Sequence, residues 1–285
     1  MVQEKAYAKL NLTLGVLFKR TDGYHALDSL MVTLDLCDLV TVEKAKEVEV
    51  VTEGAVLPFE NTMRKAAVLY KQLTGRGALI RCKKRLPSEA GMGGGSADAA
   101  AVLRALQKLY RMATEDEIDR IALQVGADVP FCIRGGLCRC EGVGEILTPV
   151  PCPEMHFCVV KPEQGVSTAA LFRALPMPRP RVQTLRAMEL LATGRIREAA
   201  PLFENALEAP AEARVPEISA VREALLKNGA LAARMTGSGS AVFGLFETAE
   251  AARNAAELLG EQYPYVACCR SIDPNVRETL VQLKD

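Results

Sequence analysis

Residues 87–101 read Pro87-Ser-Glu-Ala-Gly-Met-Gly-Gly-Gly-Ser-Ala-Asp-Ala-Ala-Ala101. Gly91, Gly93, Gly94 and Gly95 run into Ser96 and then into an alanine-rich segment. Glycine reaches backbone angles that a Cβ forbids, and it lets a ligand approach the main chain closely. The segment that follows predicts a helix, because Ala99, Val102, Leu103, Leu106 and Tyr110 recur on one face at i, i+3, i+4 spacing. Ser96 is the expected N-cap. A helix that starts just after such a loop offers unpaired N–H groups and the positive end of its dipole, a combination suited to phosphate. No Gly-Lys-Ser/Thr follows the glycines, so the loop is not a Walker A motif. No Gly-x-Gly-x-x-Gly can be laid over it, so it is not a dinucleotide fingerprint. The alternative is a tight turn leading into a close-packed helix.

Working outward, short strand-like runs precede the loop at residues 6–17, 30–36, 39–42, 48–52 and 78–82. A helix is predicted over 62–73, with Asn61 as its cap. After the loop and its helix, Thr114 and Glu117 form a capping box, and Gly126 ends that second helix. The run Pro149-Val-Pro-Cys-Pro153 reads as a domain boundary, dividing the chain into 1–150 and 151–285. Beyond it, Pro176-Met-Pro-Arg-Pro180 reads as a loop. Helices are predicted over 183–191, 195–207 and 217–227. Strand-like 231–235 and 241–246, a helix capped by Thr248, and a last strand near 265–272 complete the pattern. This mixed order implies α+β layers, not a doubly wound parallel sheet.

Composition narrows the function. The 285 residues suffice for one large or two ordinary domains, and 49% hydrophobic with 25% charged residues fits a globular protein with a filled core. Thirty-five basic and 35 acidic residues cancel, which argues against a broad nucleic-acid surface. The chain has no Trp and 5% aromatics, too few for single-strand stacking platforms. No apolar run reaches the roughly 18–20 residues of a membrane-spanning helix, and no secretory leader is evident. Nine cysteines, without Cys-x-x-Cys, imply buried thiols in a reducing cytoplasm. Cys152, His156 and Cys158 lack a fourth ligand at finger spacing and read as core. The absence of Gly-x-Ser-x-Gly and His-Glu-x-x-His disfavours a hydrolase.

Four further places carry chemistry. Asp128, in Gly126-Ala-Asp-Val-Pro130, suits either a general base for a hydroxyl or a helix cap. Lys9 and Asn11 alternate with Ala8, Leu10 and Leu12, so they share one strand face. That face is expected to be solvated, although a lysine beside an aspartate would stabilise charge on a transferring phosphoryl group. Tyr24 and His25 follow the turn Thr21-Asp-Gly23, where they either hold a base or lie on the surface. Thr236-Gly-Ser-Gly-Ser240 is either a second backbone cradle or a plain turn.

The order of these segments resembles the GHMP kinase superfamily. The family shows an N-terminal Lys-bearing strand, a central Pro-x-x-x-Gly-Leu-Gly-x-Gly-Ser-Ser loop and a C-terminal Gly-Ser-Gly turn. Their counterparts here are residues 8–12, 87–97 and 235–240. Ala8-Lys-Leu-Asn-Leu12, Asp22-Gly-Tyr-His25, Gly126-Ala-Asp-Val-Pro130 and Glu141-Gly-Val-Gly-Glu-Ile-Leu-Thr-Pro149 resemble the branch that acts on a cytidine-diphosphate-linked methylerythritol. Homoserine- or mevalonate-type kinases are the alternative within the superfamily.

The resemblance implies a two-domain α+β fold with its active site in the inter-domain cleft, and ATP with Mg²⁺ as cofactors. It makes Asp128 the general base and Lys9 the group that orients it. It gives Asn11 the polyol, and Tyr24 and His25 the cytosine, with Phe172 stacking on the base's other face. Pro87, Gly91, Gly93, Gly94, Gly95, Ser96 and Ala97 would wrap the phosphates. Asn61 and Lys84 would lie near the adenosine, and Gly237, Ser238 and Gly239 would close the site. It implies a small-molecule substrate, no nucleic-acid or membrane partner, and a monomer or homodimer. The chain departs from the pattern at Met92 (usually Leu), at Ala97 (usually a second Ser) and at Ala206 (Asp in Asn-Asp-Leu-Glu).

Overall fold

A computed structural model of the chain describes residues 1–176 and 182–274. Two compact units form. The first comprises Met1–Ala8, Leu36–Leu86 and Gly93–Arg134; the second comprises Lys9–Asp35, Pro87–Met92 and the chain from Gly135 onward. The units interleave in sequence, so a single division after residue 150 does not separate them. Two long strands, β1 (Val2–Lys19) and β2 (His25–Ala45), each contribute residues to both units. The sequence pattern breaks β2 into two runs at Cys37 and Asp38. The strand continues because the Asp38 carboxylate accepts main-chain N–H groups, that of Leu86 at 2.8 Å, as Asp35 within the first run accepts that of Arg270 at 2.9 Å.

In the first unit, β3 (Val48–Glu53) leads through α1 (Thr62–Thr74) to β4 (Gly77–Lys83), and the two strands pair in parallel. A parallel pair needs such a crossover. β4 also pairs antiparallel with the C-terminal half of β2, Leu39 opposite Lys83. Asn61 caps α1, its Oδ1 accepting from Arg64 N–H at 3.1 Å, and Gly75 closes the helix at φ 71°. α2 (Gly94–Tyr110) is buried at every residue from Ala97 to Leu103 and packs against α1. α3 (Glu115–Val125) opens with the expected Thr114–Glu117 capping box. A further helix, α4 (Val129–Arg134), starts directly after Asp128. Its six residues and internal Pro130 leave no helical period to read in the sequence.

In the second unit, the N-terminal half of β2 pairs with β5 (Leu137–Gly142), and β5 pairs with β6 (Ile146–Val150). The Pro149 passage therefore begins inside a strand, with Pro149 opposite Cys138, and is not a linker. β6 ends its row of strands, a position where a missing N–H is tolerated. The unit continues with β7 (His156–Lys161), α5 (Thr168–Ala174), α6 (Thr184–Ala192), α7 (Ile196–Ala199), α8 (Glu208–Glu212) and α9 (Glu217–Lys227). β8 (Ala232–Met235), β9 (Val242–Phe246), α10 (Ala249–Gly260) and β10 (Tyr265–Arg270) complete it. β7, β8, β9 and β10 make an antiparallel sheet in the order β10-β7-β9-β8. Its core includes Phe157 and Phe243, in edge contact at 5.8 Å, with Phe203 beside Phe243. The expected helix over 195–207 is cut short at α7 and a 3₁₀ turn, Ala200–Leu202, because Pro201 has no N–H to continue it. Of the expected proline loop, residues 177–180 lie outside the described residues. Among the described residues, no helix is long and apolar enough to cross a membrane.

Candidate active site

The glycine loop differs from expectation in where its helix begins. Gly93, at φ 71°, is the N-cap of α2, and no side chain caps the helix. Ser96 is therefore the third helical residue and not the cap, since the left-handed glycine turns the chain into the helix three residues earlier. The N–H groups of Gly94, Gly95 and Ser96 have no carbonyl four residues back within the helix. Ala97 N–H already donates to Gly93 O at 2.8 Å, and the Ala97 methyl is buried. The Ser-to-Ala departure thus falls on a core position. Thr62 Oγ1 donates to Gly95 O at 2.6 Å and holds the first turn from α1.

Beneath this turn lies a cluster that sequence reasoning missed. The Lys84 ammonium pairs with Asp38 and, at 2.6 Å, with Asp98, and its side chain is 7% exposed. Asp38 accepts the N–H groups of Arg85 and Leu86. Burial pushes the Asp98 carboxyl up to about 7; the Asp38 charge adds to this and Lys84 opposes it. Burial alone would lower Lys84, but the two carboxylates more than offset that and raise it. Burial also holds the Cys82 thiol well above its ordinary range, and its Sγ lies 3.7 Å from Asp98 Oδ1. The one sequence signal was an aspartate set in a run of alanines.

Asn61 uses both ends of its amide locally, its Nδ2 donating to Pro58 O at 3.0 Å. It lines an open cavity of about 460 Å³ with Val51, Leu57, Pro58, Phe59 and Arg64. Asp128 sits at the start of α4, where its carbonyl accepts Cys132 N–H at 3.0 Å. A Cβ on Gly126 would lie 3.9 Å from Ser96 Oγ, so the turn leading to Asp128 lies against the start of α2.

In the second unit, Lys9 and Asn11 are 3% and 2% exposed, which overturns the expected solvated face. β1 is buried on both sides here, and the polar pair is satisfied internally. Lys9 Nζ donates to Asn11 Oδ1, and Asn11 Nδ2 donates to Ser29 Oγ at 2.8 Å. Asn11 N–H donates to Thr236 Oγ1 at 3.0 Å, and Lys9 N–H to Met92 O at 2.9 Å. The Gly-Ser-Gly turn lies against this pair: a Cβ on Gly237 would sit 3.2 Å from Lys9 Nζ. Asn205 holds the turn by donating to Met235 O at 2.7 Å and Gly237 O at 2.8 Å, while Glu208 accepts Met235 N–H at 2.7 Å. These two residues flank Ala206, which is buried in the unit's core. Pro87–Met92 reaches the same turn through Ser240 N–H to Glu89 O at 3.0 Å.

His25 and Phe172 stack with ring centroids 4.9 Å apart and planes at 27°. A base between two rings needs roughly 7 Å, two contact distances, so these rings are closed on each other. Burial first, then the Lys19 charge, lowers the His25 pKa, which favours the neutral imidazole with one donor and one acceptor. Tyr24 is 64% exposed, its N–H held by Asp22 Oδ1 at 3.0 Å. Thr168, the first residue of α5, hydrogen-bonds Ser238 Oγ at 2.6 Å, and Phe172 lies one turn further along.

The chain can be compared with known proteins on this basis. Its residues 61–136 match the GHMP kinases N terminal domain and residues 187–264 the GHMP kinases C terminal domain. A 4-diphosphocytidyl-2-C-methyl-D-erythritol kinase of Caldicellulosiruptor saccharolyticus is 41% identical over 265 residues, covering 90% of this chain and 91% of the relative. One of Cereibacter sphaeroides is 44% identical, covering 95% of this chain and 100% of the relative. The crystal structure of a 4-(cytidine 5'-diphospho)-2C-methyl-D-erythritol kinase superposes with TM-score 0.82 at 37% identity, over 95% of this chain and 99% of that one. A homoserine kinase from Cytophaga hutchinsonii, 18% identical, shares the fold at TM-score 0.73 over 95% of each chain. The chain belongs to the 4-diphosphocytidyl-2-C-methyl-D-erythritol kinase family of the GHMP kinases, and is an ATP-dependent small-molecule kinase.

Proposed function

We propose that the protein transfers the γ-phosphoryl group of ATP to the 2-hydroxyl of 4-diphosphocytidyl-2-C-methyl-D-erythritol, a step in isoprenoid precursor synthesis. It would do so in the cytoplasm, as a monomer or homodimer. The observation that carries the substrate assignment is the His25–Phe172 pair, joined through α5 to the Gly-Ser-Gly turn. A neutral imidazole matches the donor and acceptor edge of cytosine, and Phe172 and Tyr24 supply aromatic faces. The base would enter by displacing one ring from the other.

Asp128 takes the proton of the 2-hydroxyl as its oxygen bonds to the γ-phosphorus, and the bond from that phosphorus to the β,γ-bridging oxygen breaks to release ADP. Lys9 stabilises the charge that develops, and Asn11 holds both Lys9 and the polyol. Pro87, Gly91 and Gly93–Ser96 wrap the phosphates, and Gly237, Ser238 and Gly239 close the site. Asn61 and Lys84 lie on the adenosine side, Asn61 by lining its cavity and Lys84 from beneath the helix start. Mg²⁺ would arrive with the nucleotide phosphates, with the Ser96 hydroxyl at the start of α2 as the side chain to meet it. The ion would neutralise charge on the phosphates.

The test is ATP consumption with Mg²⁺ and, in parallel, the cytidine substrate, homoserine and mevalonate. Turnover with the cytidine compound alone is expected; turnover with either other acceptor instead would overturn the assignment. Asp128→Asn should lose about 10³-fold in kcat while still binding the cytidine substrate. Undiminished turnover would remove Asp128 from the base role.

A further inference from the structure

Lys9, Asn11 and Thr13 are alternate residues of β1 and share one face. Ser29, on the neighbouring strand β2, bonds to two of them. All four are buried, Thr13 and Ser29 completely. Their hydrogen bonds run in one direction. Lys9 Nζ donates to Asn11 Oδ1, Asn11 Nδ2 to Ser29 Oγ at 2.8 Å, and Ser29 Oγ to the Thr13 carbonyl at 2.5 Å. An ammonium can only donate, so the amide must turn its oxygen to Lys9 and its nitrogen away. A hydroxyl serves that nitrogen only by accepting, and its own proton then needs an acceptor elsewhere. The Thr13 carbonyl, a main-chain group, provides it. The Thr13 hydroxyl lies outside this series: it accepts Leu30 N–H at 3.0 Å and meets Thr184 Oγ1 at 3.1 Å.

We propose that Ser29 is a positioning residue for phosphoryl transfer, whose hydroxyl fixes the Asn11 amide and through it the Lys9 ammonium. A lysine ammonium sits on a flexible four-carbon stem, so its bonding partners decide where the charge rests. Without the Ser29 hydroxyl, Asn11 Nδ2 loses its acceptor in a place that water does not reach. The amide then gains by rotating toward another acceptor, and half a turn brings its own N–H groups against the ammonium. The Lys9 charge is no longer held where a developing negative charge needs it.

The inference rests on the reading of Lys9 as the group that stabilises that charge. The test compares Ser29→Ala, Ser29→Thr and Thr184→Val in the full chain, reading kcat, KM and denaturant unfolding. Ser29→Ala should lose about tenfold in kcat with the KM for ATP unchanged. Ser29→Thr keeps the hydroxyl and should keep kcat within about twofold. Thr184→Val removes a hydroxyl from the same core but not from the series, so it should lose stability and keep kcat. In an Asn11→Ala background Ser29→Ala should add nothing, since Ser29 acts through the amide. Full kcat in Ser29→Ala, an equal loss in Thr184→Val, or a folded Ser29→Thr as slow as the alanine variant would overturn the inference. Should Ser29→Ala fail to fold, Ser29→Cys carries the same comparison, because a thiol fills the site and accepts poorly. Lys9→Met separates this from the role given to Lys9. Full turnover there sinks that role, whereas loss there beside full kcat in Ser29→Ala sinks only the inference. A wild type that turns over no acceptor counts against the kinase reading, and the link is then read from the Asn11 side-chain amide resonance. It should shift in Ser29→Ala and Lys9→Met but not in Thr184→Val; an unmoved signal would overturn the link.

Discussion

Two glycine-rich segments of this protein do different physical work. At residues 93–96, Gly93 turns the chain into a long buried helix, and the next three N–H groups have no carbonyl four residues back within it. At residues 236–240, the glycines make a turn between antiparallel strands whose main chain is largely occupied. Gly239 N–H goes to Thr236 O at 2.9 Å, Ser240 N–H to Glu89 O, and Gly237 O to Asn205. The first segment offers unpaired donors and a dipole. The second offers shape, through close approach of its backbone to Lys9 and to Gly91. The same residue type serves as electrostatics in one place and as clearance in the other.

Substitutions separate these two uses. The largest effect is expected at Gly91, whose φ is 70° and whose added Cβ would lie 2.0 Å from Thr236 O. Main chain meets main chain there, so Gly91→Ala should destabilise by about 3–5 kcal/mol in denaturant unfolding. Wild-type stability in that variant would mean that the clearance is not needed. Asn205→Ala should cost about 2 kcal/mol, because two buried carbonyls lose their donor, and it should do so without touching α2. Gly94→Ala acts the opposite way. Its Cβ would meet only ordinary contacts at 3.7 Å, so stability should hold or rise by up to about 1 kcal/mol. The KM for ATP should nevertheless rise a few-fold, as the methyl crowds the Lys84 ammonium that lies beneath the turn. An unchanged KM would make that turn structural only.

The smallest effect concerns His25. Its pKa is lowered in the folded protein, so the folded state disfavours the charged ring. Its unfolded value is ordinary, near 6.5. Falling pH therefore costs stability below that value, and protonates the folded ring only as it passes the lowered pKa. The KM for the cytidine substrate should rise a few-fold across the lower window and that for ATP should not. His25→Gln should flatten the profile; a slope that survives the substitution assigns it to another group.

Much of this architecture was legible because it rests on local rules. The Asn61 cap, the Thr114–Glu117 box, the Thr248 cap and the amphipathic face of α2 each depend on residues within a turn or two of one another. Pattern failed where long-range pairing decides. Pro149 looked like a breaker, but a strand that ends its sheet row tolerates it. Lys9 and Asn11 looked solvated, since an alternating strand cannot show that both of its faces are covered. Ser96 looked like a cap, since only the backbone angle of Gly93 reveals the earlier start.

The candidate site divides along the same line. Residue type and order along the chain supplied the glycine cradle, the Lys9 and Asp128 pair of candidates, and the aromatic residues Tyr24, His25 and Phe172. Their chemistry is local to each side chain, and their spacing is a family pattern. Tertiary structure alone supplied Asp38, Asp98, Asn205 and Glu208. These act on main-chain groups or on a lysine brought to them by strand pairing and helix packing, from 14 to 48 residues away in sequence for the first two. Tertiary structure also closed His25 onto Phe172. A sequence determines which groups can carry charge or donate a hydrogen bond. Which of them are buried, and against what, depends on contacts that local pattern does not encode.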